Sequence, residues 1–297
     1  MVSGFSIIKN GEIYGYPFCE ALLSLAPFVD ELVVAHGDSH DNTAELLESL
    51  RSKISCNLRI IDSPWNSKNI QFGTELARQS NIALEACEND ICFYIQADEV
   101  IADHNSNQLK EDLQRFSKDD TVDALALHWV HFYGNYQTIV ESRKWYRREM
   151  RIIKKSKKLK SYGDAQGFRI YQNENHWTKP HAALSRAQIY HYGWVRPPQV
   201  MAQKSEALDR LWHGNQRDGT HSAENIFSKQ YGLKPFTGKH PDIMKDRILA
   251  SEKEDPIHFS GKISLKNKLR LGLTDFIEKK SGWRPGEFTN YSSLKKY

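Results

Sequence analysis

The sequence predicts an α/β fold: a mostly parallel mixed sheet flanked by helices, followed by a helical C-terminal extension. Three observations predict it. Short apolar runs alternate with amphipathic stretches four times in the first hundred residues, the order of a parallel sheet with crossover helices. The run from Ile91 to Ile95 is apolar or aromatic throughout, as in a strand buried on both faces. Beyond Phe116 the runs follow one another without long helices between them, so the second half is more antiparallel.

Phe5 to Asn10 reads as the first strand, stopped by Asn10-Gly11. A helix follows from Pro17, a residue the first turn tolerates, with Phe18, Leu22 and Leu25 on its apolar face. Glu31 to Ala35 is the second strand. It leads into the turn His36 to Thr43, where Asn42 and Glu45 have capping-box spacing for the next helix. Leu58 to Ile61 is the third strand, and Thr74 to Ala86 is helical with Leu76, Ala83 and Leu84 inward. The central strand then runs into two adjacent acids, Asp98 and Glu99. Leu109, Leu113 and Phe116 mark another helix. Ala124 to Trp129, Trp145 to Ile153 and Gln188 to Trp194 read as strands, while Asn135 to Arg143 and Ser156 to Trp177 read as loops over the sheet. Pro197-Pro198 opens a helix expected to close at Gly214. We divide the chain into an α/β domain over 1–215 and an extension over 216–297. Within the extension, Leu265 to Ile277 is a basic amphipathic stretch whose apolar side would pack inward, as most do, or lie on an anionic membrane or a partner.

Composition narrows the functional class. The 297 residues carry a formal net charge of +4, mildly basic but without the dense stripe of a nucleic-acid binder. Cys19, Cys56, Cys87 and Cys92 form no CxxC pair and sit in apolar settings, which points to reduced thiols and a cytoplasmic setting. Met1 to Phe5 has no basic segment ahead of an apolar core, and no run is long enough to span a bilayer. The expectation is a protein free in the cytoplasm or peripheral to a membrane. No GxGxxG follows the first strand, and neither a GxxxxGK[ST] loop nor an HExxH occurs.

Acids at the carboxyl end of a central strand lie where open α/β sheets collect ligands. A carboxylate there is a hard oxygen ligand for Mg2+ or Mn2+ and, through the cation, for a diphosphate; a helix cap on the exit turn is the plainer reading. In order and spacing the motifs resemble family 2 glycosyltransferases of the GT-A fold. Phe5 to Asn10, with Glu12 after it, resembles the first strand of that family. His36 to Thr43 resembles its DDGSxDxT turn, Tyr94 to Glu99 its DxD region, and Ile189 to Trp194 the late strand that carries a metal-binding His in many members. The resemblance covers residues 5–215.

That resemblance implies a metal-dependent transfer of a sugar from a nucleotide-diphospho-sugar to a hydroxyl acceptor on a glycan, a lipid-linked molecule or another compound, with inversion. Asp98 and His191 would hold Mn2+ or Mg2+, with Glu99 a weaker candidate. Asn10, Glu12 and Asp38 would line the nucleotide pocket, and Arg147 and Lys204 would meet the diphosphate. Asp164, between two glycines in Ser161 to Phe168, would serve as base, with Glu149 in reserve. The chain departs from the family where His36-Gly37 replaces a pair of acids and where Gln96 replaces the first acid of DxD. His128 and His131, three apart on an extended segment, have poor geometry for a shared metal and read at best as acceptor-loop residues. A sugar nucleotidyltransferase and a catalytically silent nucleotide-sugar-binding module are the rival readings; no nucleic-acid partner is expected.

Overall fold

The computed structural model describes residues 1–66, 72–173, 176–213, 221–253 and 256–297. The elements in chain order are β1 (Val2–Ile8), α1 (Phe18–Leu25), β2 (Glu31–His36), α2 (Thr43–Ser49), β3 (Asn57–Asp62), α3 (Thr74–Ala86), β4 (Ile91–Tyr94) and β5 (Glu99–Ile101). There follow α4 (Ser106–Lys118), β6 (Ala124–Val140), β7 (Arg148–Lys154), β8 (Leu159–Tyr162), β9 (Gly167–Asn173), β10 (His176–Thr178), β11 (His181–Val195) and α5 (Pro198–His213). The C-terminal part adds β12 (Leu233–Pro235), α6 (Lys245–Ser251), α7 (Leu265–Ser281) and β13 (Ser293–Lys296).

The main sheet runs β3-β2-β1-β4-β7-β6-β11-β13, with β12 on β6 and β5 on β11. Pairing is parallel from β3 to β4 and again from β6 through β11 to β13; β7 is antiparallel to both of its neighbours. This is the mixed, mostly parallel sheet the sequence implies. Along β4 the side chains alternate between two cores. Phe93 joins the layer under α1, α2 and α4, while Cys92 and Tyr94 join the layer under α3. Tyr94 stacks on Phe5 at 4.9 Å and meets Phe168 edge-on at 5.8 Å, ring contacts of the kind whose loss to alanine costs about 3–5 kcal/mol. All four cysteines are free, Cys87 and Cys92 buried and Cys19 and Cys56 half-buried.

The central strand ends where the apolar run does: β4 stops at Tyr94, the chain turns through Asp98, and β5 re-enters against β11. Two expectations need correction. The stretch Ser156 to Trp177 is mostly sheet. β8, β9 and β10 form a three-stranded antiparallel unit that buries Leu159 and Phe168 on one face and leaves polar residues on the other. The left-handed residues Lys158, Gly163 and Ala165 make its reversals. β6 also runs on to Val140, through part of the expected loop. The expected helix stop at Gly214 and the boundary at residue 215 lie outside the described residues. Residues beyond 216 contribute β12 and β13 to the main sheet. Among the described residues no helix is long and apolar enough to cross a membrane.

Candidate functional site

At the carboxyl ends of β1 and β4 lie two adjoining cavities of about 260 and 180 Å3 that share Lys9, Tyr16, Trp65, Leu76, Lys204 and Leu208. Their rim is made by two turns stitched together. Asn10, with φ of 51°, accepts from His40 N at 2.9 Å and donates its own N–H to Ser39 Oγ. Asp41 accepts from Ile13 N, and Thr43 Oγ1 accepts from Gly11 N. Asp41 also accepts from Thr43 N, so it caps α2, and the expected Asn42 cap does not form. Gly37 is required here because a Cβ would stand 2.7 Å from Trp65 Nε1. That bare position lets the indole close the pocket wall, with its buried Nε1 unpartnered among the described residues.

Asp98 sits in the turn between β4 and β5. Because β5 pairs with β11 so that Glu99 faces His191, and β6 pairs with β11 so that His131 faces His191, three distant segments converge. Asp98 Oδ2 lies 3.8 Å from His191 Nε2 and accepts from Lys204 Nζ at 3.2 Å; Lys204 also donates to Gly193 O at 2.8 Å. Burial raises the Asp98 carboxyl, but Lys204, His191 and Arg196 outweigh it and hold it well below the ordinary carboxylate range. Burial and Arg196 together push the Lys204 ammonium down to about 7 against the pull of Asp98. The Tyr16 ring lies between two cations, 5.0 Å from the Arg196 guanidinium and 4.9 Å from Lys204 Nζ.

The histidines form a relay with a fixed direction. His131 Nε2 lies 2.6 Å from the carbonyl of Tyr146, which only accepts, so Nε2 carries the proton. Burial holds both imidazoles below their ordinary value, and a neutral His131 presents Nδ1 as an acceptor. His191 Nδ1, at 3.0 Å, is then the donor, and the His191 Nε2 lone pair faces the Asp98 side.

Asn10, Asp38, Asp98 and Lys204 line this cleft, and His191 stands beside Asp98 at 3.8 Å without lining either cavity. Asp38 lines it but is tied to Lys9 at 2.5 Å and to Trp65 N. Glu12 turns toward the neighbouring turn, accepting from Asn42 N at 3.2 Å. Glu99 is not a ligand: its carboxylate is held in a fully buried two-point pair with Arg151 at 2.7 and 2.9 Å. Arg147, expected at the diphosphate, instead bonds Glu278 and Glu287 at 2.8 Å, carboxylates that arrive from the C-terminal region. Asp164 lies on the β8–β9 turn, whose Ala165 lines the smaller cavity and accepts from Gln96 Nε2; the Asp164 carboxylate itself accepts from Gln166 N. Glu149 is buried and held by Gln166, Asn290 and its neighbour's N–H, with burial raising its pKa. Sequence reasoning missed Tyr16, Trp65, Gly193 and Arg196, and it read His131 as an acceptor-loop residue where the structure sets it behind His191. The signal for His131 is the repeated pattern of a His among aromatics in Val130 to Tyr133 and Tyr190 to Trp194.

Residues 16–178, more than half of the chain, match the family described as Glycosyl transferase family 2. The chain belongs to that family. No curated protein matches the sequence. Among solved structures, S. aureus TarS 1–349 is 17% identical, with 76% of this chain covering 68% of that one and a TM-score of 0.39. The same TarS fragment in complex with UDP-GlcNAc is 22% identical over 45% of this chain, with a TM-score of 0.34. The M. tuberculosis glucosyl-3-phosphoglycerate synthase in complex with Mn2+, UDP and glucosyl-3-phosphoglycerate is 17% identical over 44% of this chain, with a TM-score of 0.30. The chain spans 36% of the UDP-GlcNAc-bound TarS chain and 44% of the synthase.

A divalent cation, which this transferase family implies, can be tested against the residues themselves. Among the described residues no group of three or more His, Cys, Asp and Glu could hold a metal. Two protein donors remain, an ionised carboxylate and an imidazole with a free Nε2. The gap between them is kept open by Gly193, whose Cβ would stand 2.4 Å from His191 Nε2 and 3.0 Å from Asp98 Oδ2. A hard cation that takes its other ligands from a substrate's phosphates suits such a sparse pair, so the residues fit. A further cavity of about 460 Å3, lined by Arg196, includes neither Asp98 nor His191.

Proposed function

We propose that the protein transfers a sugar from a nucleotide-diphospho-sugar to a hydroxyl acceptor, with the donor in the cleft between Asn10 and Asp98. The observation that carries this reading is the gap under Gly193, faced by Asp98 and by the unprotonated nitrogen of His191. Asp98 and His191 would hold Mn2+ or Mg2+, and when bound that cation supplies neutralisation of the leaving diphosphate. Asn10 and Asp38 border the nucleotide pocket, with Trp65 as its flat wall and Glu12 fixing the rim. Lys204, next to Asp98 and lining both cavities, meets the diphosphate oxygens once it leaves the carboxylate. Arg147 has no part in this. Asp164 takes the proton from the acceptor hydroxyl as it attacks the anomeric carbon from the face opposite the diphosphate, which inverts that centre. Its turn already borders the cavity through Ala165. Residues 1–215 are the transferase domain in this reading and 216–297 its extension.

The test is incubation with Mn2+, a panel of nucleotide sugars and candidate acceptors, using the wild type and Asp164→Asn. Release of nucleoside diphosphate by the wild type, with donor binding but little transfer by Asp164→Asn, is the expected result. Release of pyrophosphate would make the protein a nucleotidyltransferase, and binding without turnover would make it a silent module; either outcome refutes the proposal. Unchanged turnover in Asp164→Asn would move the base elsewhere.

A further inference from the structure

The C-terminal helix α7 leaves most of its large apolar residues on the side away from the protein. Its large apolar residues Leu265, Leu269, Leu273 and Phe276 are 60–72% exposed. At 100° per residue they fall within an arc of about 80°, a continuous stripe along a helix about 25 Å long. The side facing the protein buries one large apolar residue, Leu271, among polar ones. Thr274 is buried there beside Leu271, and Glu278 bonds Arg147 at 2.8 Å and Arg284 at 2.7 Å. The helix is thus fastened by Leu271 and by ion pairs, while the stripe of four large apolar residues is left outward. Most of its apolar surface therefore does not pack on the protein, where an ordinary amphipathic helix would put it.

Charge says what covers that face. Lys266 and Arg270 flank the stripe on one side and Lys268 and Lys279 on the other, with Lys280 in line with it. From Lys262 to Lys280 there are six cations and two acids, and one of those acids, Glu278, is already paired. Trp283, 63% exposed, stands just past the Gly282 cap at the end of the stripe. An apolar band bordered on both sides by Lys and Arg, with a Trp at its end, is the arrangement of a helix lying in the plane of an anionic lipid surface. Pairing two copies through the same face would set the two basic borders against each other.

We infer that α7 seats this transferase on an anionic bilayer, apolar stripe in the lipid and basic borders on the headgroups. The seat is mechanically continuous with the catalytic cleft. Arg284 Nη1 donates to the carbonyl of Trp145, and the Trp145 and Tyr146 rings touch His131, which bonds His191. An acceptor carried at the membrane surface would therefore reach a site oriented by the same helix. The seat itself does not depend on how the donor or the cation is bound.

The full chain is sedimented with vesicles of phosphatidylcholine alone and of a two-to-one mixture of phosphatidylcholine and phosphatidylglycerol. The wild type should sediment with the mixed vesicles and stay in solution with phosphatidylcholine. The double variant Leu269→Ser, Leu273→Ser changes only exposed positions, and it should lose roughly tenfold or more of its binding with an unchanged circular dichroism spectrum. The variant Lys266→Gln, Arg270→Gln should weaken binding to the mixed vesicles by a smaller factor that shrinks further in high salt. Failure of the wild type to bind mixed vesicles overturns the inference, as does binding that the leucine changes leave untouched. A dimer in light scattering that the leucine changes dissolve would assign the face to a second copy, and so overturns it too.

Discussion

Adding one methyl group at Gly193 is the smallest change that closes the gap between Asp98 and His191. The new Cβ would lie 2.4 Å from His191 Nε2 and 3.0 Å from Asp98 Oδ2. Carbon contacts settle at about 3.5–4.0 Å, so the imidazole must withdraw by about 1 Å, and its 3.0 Å bond to His131 must stretch or break. Gly193 is not in the left-handed region, so alanine costs nothing in backbone conformation and the effect is confined to the gap. Disturbing one of two protein ligands should weaken a shared cation by about 10- to 100-fold, or about 1.4–2.8 kcal/mol. We expect Gly193→Ala to show that loss in Mn2+ titrations followed by electron paramagnetic resonance with saturating UDP or GDP. The same factor should appear in kcat/KM, and crowding the buried imidazole should lower the thermal transition of the metal-free protein by roughly a few degrees. Mn2+ affinity within about twofold of the wild type would refute the assignment of the gap.

Three further outcomes follow from the same geometry. His131→Phe removes the acceptor of His191 Nδ1–H, so long-range nitrogen–proton NMR of the protein without metal should show His191 losing its Nδ1-protonated form; an unchanged tautomer means the relay does not set it. Arg151→Met leaves Glu99 buried without its partner and should cost about 3–5 kcal/mol in urea unfolding, most of it recovered by adding Glu99→Gln; a loss under about 1 kcal/mol would show the pair to be dispensable. Trp65→Ala removes the flat wall of the nucleotide cavity and should raise the Kd for UDP or GDP by roughly 5- to 150-fold, the equivalent of one lost stacking contact, whereas unaltered binding would place the base elsewhere.

Most of the α/β half was legible because burial on both faces of a parallel sheet leaves apolar runs that composition alone marks. The helix Thr74 to Ala86 has the bounds its periodicity gives, and Asp98 lies at the strand end where the run stops. What was not legible depends on register between distant segments. His131 and His191, sixty residues apart, meet only because the β6–β11 pairing, after an irregularity between Leu184 and Gln188, sets them opposite each other, and Arg147 finds its carboxylates more than a hundred residues away. The strands β8 and β9 hide in the sequence because one face of each is polar and their reversals use Lys158 and Ala165 in left-handed conformations that those residues rarely adopt. For α7 the periodicity gives an amphipathic helix but not which side turns inward; the buried Leu271 and the ion pairs of Glu278 lie on the side that does.

The central claim is that Asp98 grips the donor's diphosphate through a cation. Calorimetric titration of UDP and GDP, with and without Mn2+, into the wild type and Asp98→Asn addresses it directly. Tighter nucleotide binding with Mn2+ in the wild type, and no such gain in the variant, is the predicted result. An equal Mn2+ effect in both proteins, or none in the wild type, would contradict it.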